Sequence, residues 1–284
     1  MNALSATDNY ANLLLALPQL QPATVLSVFF LTLARILPII TQTPFLGAKN
    51  LPMAVRMMFS VSLVAIFLPQ NLLTVSREIP YGMVWVGLMC KELLIGTVIG
   101  FLISAPFFIA TMSGTLIEHS RGASSFQVND PTMQTQTSPI GNLFSYTLLA
   151  LFFALGGPFL FLDGLAGSYQ IIPVDKMFNE TYFNANLPIW KTAFNFGNHA
   201  ITLCIQLAAP SLIGILLTDM FLGIANRLAP QVQIVFLGIS LKSWVGIALL
   251  AASWGLVIKV MGQEAISWTK MINQLIRQAG PFVH

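Results

Sequence analysis

The chain alternates between long apolar runs and short polar or turn-rich ones. Six apolar runs can be read: Ala23–Ile40, Met53–Leu68, Val84–Ala110, Leu143–Leu162, Ala200–Leu222 and Val232–Met261. A helix needs ~20 apolar residues to cross a bilayer core. Each run therefore predicts a membrane helix, with the second short and the third and sixth long. The long runs carry charge, Lys91 and Glu92 in the third and Lys242 in the sixth. Charges at such depth face a protein interior or an aqueous path, unless they lie near a helix end and snorkel to the surface. Both placements remain open for Lys91 and Glu92.

Pro38, Pro106, Pro158 and Pro210 fall inside or beside these runs. Each frees a backbone carbonyl, which at membrane depth only protein or a wet cavity can satisfy, so broken helices are expected. Small residues recur every four positions, at Gly96, Gly100 and Ser104 and again at Ala248 and Ala252. That spacing makes a smooth stripe for close helix approach, either to a partner or within the chain.

Composition agrees with a polytopic membrane protein. Of 284 residues, 56% are hydrophobic and 8% charged, where a soluble domain carries roughly a quarter charged. A soluble globular protein, a disordered chain and a nucleic-acid binder are thereby excluded. The net charge of +3 arises from 13 basic and 10 acidic residues without a basic run. Six spans place Arg77, Lys176, Lys191, Lys259, Lys270 and Arg277 on one side and Lys49, Arg56, Arg121 and Arg227 on the other. This weakly favours cytoplasmic termini. So even a split suggests that these are not simple spans. No basic residue precedes Arg35, so the first run is expected to be a retained anchor rather than a cleaved signal. Cys90 and Cys204 lie in apolar runs and indicate neither a disulfide framework nor a metal cluster.

The segment Thr111–Asn142 stands apart, rich in Ser, Thr, Gln, Gly and Asn, with only Glu118, Arg121 and Asp130 charged. It reads as a long loop between two helices, and loops of this length are commonly functional. Its apolar Leu116, Ile117, Phe126, Val128 and Met133 are interleaved with neutral polar residues. Such a segment suits a wet, protein-lined space, or alternatively a surface loop folded over its own helices. Catalytic patterns are missing. The three histidines, His119, His199 and His284, are scattered, and no HExxH, GxSxG, GxGxxG or P-loop string occurs. Asp219 lies within an apolar run, eight residues before Arg227 and on a similar helix face. Neither an enzyme nor a cofactor is expected.

Two stretches carry a resemblance. The first, Lys91–Phe144, holds the Lys91-Glu92 pair, Gly96 and Gly100, Ile117-Glu118, Arg121-Gly122, Asp130-Pro131, Thr137–Pro139 and Gly141. The second, Ala208–Gly246, holds Ala209-Pro210, Asp219, Arg227, Ala229–Gln231 with Pro230 at its centre, and Leu241-Lys242. Together they resemble the SctT/FliR family of type III secretion export-apparatus proteins, nearer to the injectisome branch than to the flagellar one. The likeness extends along the whole chain, read as one domain over residues 1–284. Glu118 stands where the family tends to have Asp, His119 and Ser120 replace Asn-Gln, and Ser240 replaces a proline.

The resemblance implies an all-α, polytopic membrane-type protein with broken helices, assembled into a helical export-gate pore. It implies an inner-membrane location, with helices lifted toward the periplasm in the complex. SctR- and SctS-like proteins would build the protein-conducting pore with it, and SctU- and SctV-like proteins and needle or inner-rod subunits would adjoin it. Unfolded secreted proteins would pass through. The resemblance further implies a plug in Thr111–Ser125, with Ser113, Gly114, Leu116, Ile117, Glu118, Arg121 and Gly122 as gate residues. Lys91, Glu92, Asp130, Pro131, Pro139, Gly141, Pro210, Asp219, Arg227, Pro230, Gln231 and Lys242 would form the assembly motif. Glu118 and Arg121, three apart, could pair if the segment is helical. The competing reading is a secondary transporter for a small solute, suggested by interrupted helices and embedded charges. It lacks an inverted repeat between the halves.

Overall fold

The computed structural model describes residues 21–46, 51–75, 79, 81–122, 138–177, 188–228 and 234–279. Every regular element among them is helical. The order is α1 (Pro22–Gln42), a 3-10 turn (Pro44–Leu46), α2 (Met53–Thr74), α3 (Met83–Ser120), α4 (Pro139–Ala154), α5 (Gly157–Ile171), α6 (Pro188–Leu228) and α7 (Ile234–Ala279). Five of these helices are long and apolar enough to cross a membrane, and the bent pair α4–α5 makes a sixth if taken as one span.

Proline predicts the breaks poorly. Pro38, Pro69, Pro106 and Pro210 all lie inside continuous helices. A proline removes one rung of the ladder, and neighbouring groups in a membrane protein can re-satisfy the freed carbonyl. The real break is at Leu155-Gly156, where α4 and α5 meet at 76°. Gly156 takes a left-handed φ of +75° there, and Gly157-Pro158 opens the new helix.

The expected polar loop is also shorter than its composition suggests. Helix α3 runs on through Ser120, and α4 begins at Pro139, so both ends of Thr111–Asn142 are helical. The hydroxyls of Thr111, Ser113, Thr115 and Ser120 donate to the carbonyls of Phe107, Ile109, Thr111 and Leu116, one turn back, at 2.7–2.9 Å. Their polarity is absorbed by the helix itself. Gly122 ends α3 with a left-handed φ of +82°. Residues 123–137 lie outside the described part, and with them Asp130 and Pro131, as do Pro230 and Gln231.

The helices form two compact units, to which α3, α6 and α7 each contribute segments of both. In the first, α1 supplies a fully buried stripe of Val28, Leu31, Ile36 and Ile39. Asn71 of α2 donates to Thr32 of α1 at 3.0 Å. The stripe Gly96, Gly100, Ser104 proves to be an internal packing face. A side chain at Gly96 would strike the Arg35 carbonyl, one at Gly100 would sit 3.1 Å from the Ile39 Cα, and Ser104 Oγ donates to Gln42 O at 2.9 Å. In the second unit, α4 packs Phe144 against Trp254 of α7, and α6 and α7 form a hairpin in close contact at Gly214 against Val245 and Leu249.

Candidate functional site

Unit one contains a charge cluster buried from solvent. Arg35 of α1 and Glu92 of α3 form a two-pronged pair, Nε to Oε2 at 2.5 Å and Nη2 to Oε1 at 2.9 Å, both side chains 0% exposed. The remaining guanidinium hydrogens reach Ser168 O at 3.0 Å and Ile172 O at 2.8 Å, around the C-terminal end of α5. The plane of Arg35 lies 4.3 Å from the centre of the Tyr169 ring, whose hydroxyl donates to Thr32 O at 3.2 Å. Lys91 Nζ bonds Glu92 Oε1 at 2.8 Å and donates to Pro173 O at 2.8 Å and Lys176 O at 2.7 Å. Two cations against one carboxylate are tolerable because both also cap the electronegative end of a helix and the carbonyls that follow it. Lys91 and Glu92 thus face the protein interior. Arg35 completes the site; its signal in the sequence was a lone arginine deep in an apolar run, which demands a partner.

Unit two holds a different arrangement around the expected gate residues. Helices α3 and α4 cross backbone to backbone: a methyl at Gly114 would sit 2.5 Å from Gly141 N, and one at Gly141 would sit 2.8 Å from Thr111 O. Ser138 is the N-cap of α4, its hydroxyl accepting from Gly141 N at 3.0 Å, with Pro139 as the first helical residue. The same hydroxyl donates its hydrogen to Glu118, which is 8% exposed. The Ser138-Pro139-Ile140-Gly141 string is therefore a capping unit joined to α3. Ser113 and Ile117 are fully buried, and Leu116 is partly exposed.

Glu118 and Arg121 do not pair with each other. Arg121 Nη2 donates to Ser243 Oγ of α7 at 2.8 Å, and its aliphatic stem lies against Gly246. Asp219 pairs with Lys242 of the facing helix, not with Arg227. That pair is half-open, with Lys242 25% and Asp219 43% exposed. Arg227 lies exposed in the last turn of α6, where a cation suits the helix end. Pro210 lies within α6, remote in sequence from these pairs. Burial differs along the chain: 56% of the most apolar window of α1 is covered, against 22% for α2 and for α7. Ala248 and Ala252 are among the uncovered residues.

The chain is similar to known proteins along most of its length. The profile of the family "Bacterial export proteins, family 1" matches residues 26–267. The chain is 32% identical over 215 residues to the Secretion system apparatus protein SsaT of Salmonella typhimurium, covering 75% of this chain and 79% of that one. It is 33% identical to the Yop proteins translocation protein T of Yersinia pestis, over 57% of this chain and 61% of that one. The Flagellar biosynthetic protein FliR of Bacillus subtilis is 29% identical over 82% of this chain and 88% of its own. The chain belongs to the bacterial export proteins, family 1, the SctT/FliR family of type III secretion export-apparatus proteins: a multi-pass inner-membrane protein and not an enzyme.

Proposed function

We propose that this chain forms the protein-conducting pore of a type III export apparatus together with SctR- and SctS-like subunits, and contributes its seal. SctU- and SctV-like proteins and needle or inner-rod subunits adjoin that assembly, and unfolded secreted proteins pass through it. The observation that supports assembly is the uncovered apolar surface. Met58, Ile66 and Leu73 of α2 and Leu216, Met220 and Phe221 of α6 are each more than 60% exposed. The half-open Asp219–Lys242 pair sits on this surface, where hydrocarbon is a poor neighbour for charge. A protein or aqueous surround suits it better, so lifting toward the periplasm on assembly is part of the proposal.

The seal is assigned to Thr111–Ser125, anchored by the α3–α4 crossing. Its anchor is one hydroxyl–carboxylate bond and a glycine contact, with no ion pair between Glu118 and Arg121. Such a joint opens without stripping a paired charge from its partner, which a reversible gate requires. Deleting the stretch would remove the last turns of α3 and the Gly114 contact, so a substitution tests the seal more cleanly. Ser138→Ala within an otherwise complete apparatus should leave assembly intact and let small solutes leak across the membrane at rest. An assembled Ser138→Ala apparatus with wild-type impermeability would place the seal in another subunit.

A further inference from the structure

The second unit holds a small cavity, about 20 Å³, where α3, α4, α6 and α7 meet. Most of its wall is apolar, with Ala110 of α3, Leu148 of α4, Leu207 of α6 and Met261 of α7 among the contributors. Two wall residues are polar, Glu264 and Trp268 of α7. They stand one helical turn apart, so they share a face of the helix.

Trp268 is 1% exposed, and its Nε1 is buried without a hydrogen-bond acceptor among the described residues. A donor taken out of water without a new partner carries its whole desolvation cost, and native proteins rarely leave one so. The ring is held in place by two residues of α6. Phe196 meets it edge-on with centroids 4.0 Å apart, and His199 stacks at 6.0 Å. Glu264 has acceptor capacity to spare. Its Oε2 bonds His199 Nε2 at 2.9 Å and accepts from Ser267 Oγ at 3.2 Å, and a carboxylate offers about four lone-pair sites in all.

We propose that a single structural water binds in this cavity, accepting from Trp268 Nε1–H and donating to the Glu264 carboxylate. Size fits one molecule: a water needs ~10–15 Å³ of such space, so this cavity takes one and not two. The chemistry fits as well. An indole N–H can only donate and an ionised carboxylate can only accept, so an occupant that serves both must do both. Water does. A metal cation does not, because the N–H has no lone pair to give it, and an apolar occupant satisfies neither group. A purely apolar cavity of this size would stay dry, whereas ~2–4 polar partners hold a water in place. With it bound, hydrogen bonds run without a gap from His199 through Glu264 and the water to Trp268. The end of the α6–α7 hairpin away from Asp219 and Lys242 is then fastened by that chain, and the α3 and α4 side chains shield the water.

The test is a density map of the complete apparatus at a resolution that shows ordered water. An isolated peak should lie ~2.7–3.2 Å from Trp268 Nε1 and ~2.5–3.0 Å from a Glu264 oxygen. No peak there, while other buried waters are seen in the same map, overturns the proposal. So does an indole N–H that is found on a protein acceptor. Ala110→Val then checks the location, since the added methyl groups start from the cavity wall. The peak should vanish in that variant with Glu264 and Trp268 still in place, and an undiminished peak would mean that the water binds elsewhere. Should Ala110→Val fail to assemble, the map of the unaltered apparatus decides alone.

Discussion

Helix α3 makes two glycine-mediated crossings, and they are fastened in opposite ways. At the first, Gly96 lets α3 meet α1, and the joint is bolted by Arg35, Glu92 and Lys91 with six oxygen partners outside the trio's own pairs. At the second, Gly114 lets α3 meet α4, and the joint is held by the Ser138 cap and its bond to Glu118. The same backbone geometry thus serves two purposes. Buried, paired charge resists separation because each partner left behind keeps an uncompensated charge in a dry interior. A hydroxyl–carboxylate bond can be exchanged for one to water. One helix therefore carries a permanent joint and a releasable one.

Breaking the permanent joint should have the largest effect. Arg35→Met leaves Glu92 with Lys91 as its one cation and strips the Ser168 and Ile172 carbonyls of their donor; each buried polar group left without its partner costs ~1–3 kcal/mol, so the losses add to several. The expected outcome is loss of folded protein, read as steady-state level in the membrane and as melting temperature in detergent. Arg35→Lys should not rescue it, because an ammonium cannot reproduce the two-pronged contact with Glu92 while also reaching α5. Stable protein with either substitution would show that the two joints are not different in kind.

The second crossing should fail in a different manner. Gly114→Val pushes a branched side chain into the Gly141 and Ile140 backbone, and only separation of α3 from α4 relieves it. Overpacking of this sort costs ~1–3 kcal/mol. The chain should survive in the membrane with the α3–α4 contact open. Cysteines placed on facing positions of α3 and α4 near this crossing should lose their cross-link in Gly114→Val and keep it in an Arg121→Lys control. An intact cross-link in Gly114→Val would mean that the crossing yields elsewhere.

The contrast between the two joints was only half legible in the sequence. Apolar run length located one end of most helices to within a few residues, but Ala200–Leu222 falls well short of Pro188–Leu228 at both ends, and Leu143–Leu162 covers parts of two helices. Lys91 and Glu92 were visible as embedded charges, but their partner lies 57 positions away in the chain, and spacing along one helix cannot find it. The same limit hides Lys242 from Asp219: Arg227, eight residues on along the same helix, is too distant to bond it directly, and the true partner stands on the facing helix. Composition misled at Thr111–Ser120, since hydroxyl-rich stretches resemble loops until their hydroxyls are seen bonded one turn back. Gly156 is less conspicuous in the sequence than the prolines, yet its left-handed backbone interrupts a helix more completely than a missing rung does.

Weakening the releasable joint without disturbing its packing gives a smaller effect. Glu118→Gln keeps the shape and a hydrogen-bond acceptor for Ser138 but removes the charge, which costs ~1 kcal/mol for a charge-assisted bond reduced to a neutral one. Assembly should persist, and the resting membrane should leak slightly less than in Ser138→Ala and more than in the unaltered apparatus. Equal leak in both variants would show that the charge, not the hydroxyl cap, holds α3 to α4.

The smallest effect is expected at Asp219, and it separates the chain's own stability from its assembly. The Asp219–Lys242 pair is half-open, and exposed pairs contribute ~0–1 kcal/mol once screening and side-chain entropy are counted. Asp219→Asn should therefore leave the melting temperature of the isolated chain nearly unchanged, in contrast to Arg35→Met. The neighbouring Leu216, Leu217, Met220 and Phe221 are all exposed, so a partner subunit that covers them also buries the pair. Burial raises the penalty for a lone Lys242 into the range of a stranded charge. Asp219→Asn should then reduce recovery of the complex while sparing the free chain, and Lys242→Met introduced alongside it should restore recovery by removing the charge left alone. Arg227→Ala, at the exposed end of the same helix, serves as the comparison: assembly should fall there too only if the partner reaches the last turn of α6. Full recovery of the complex in Asp219→Asn would show that the pair stays in water after assembly.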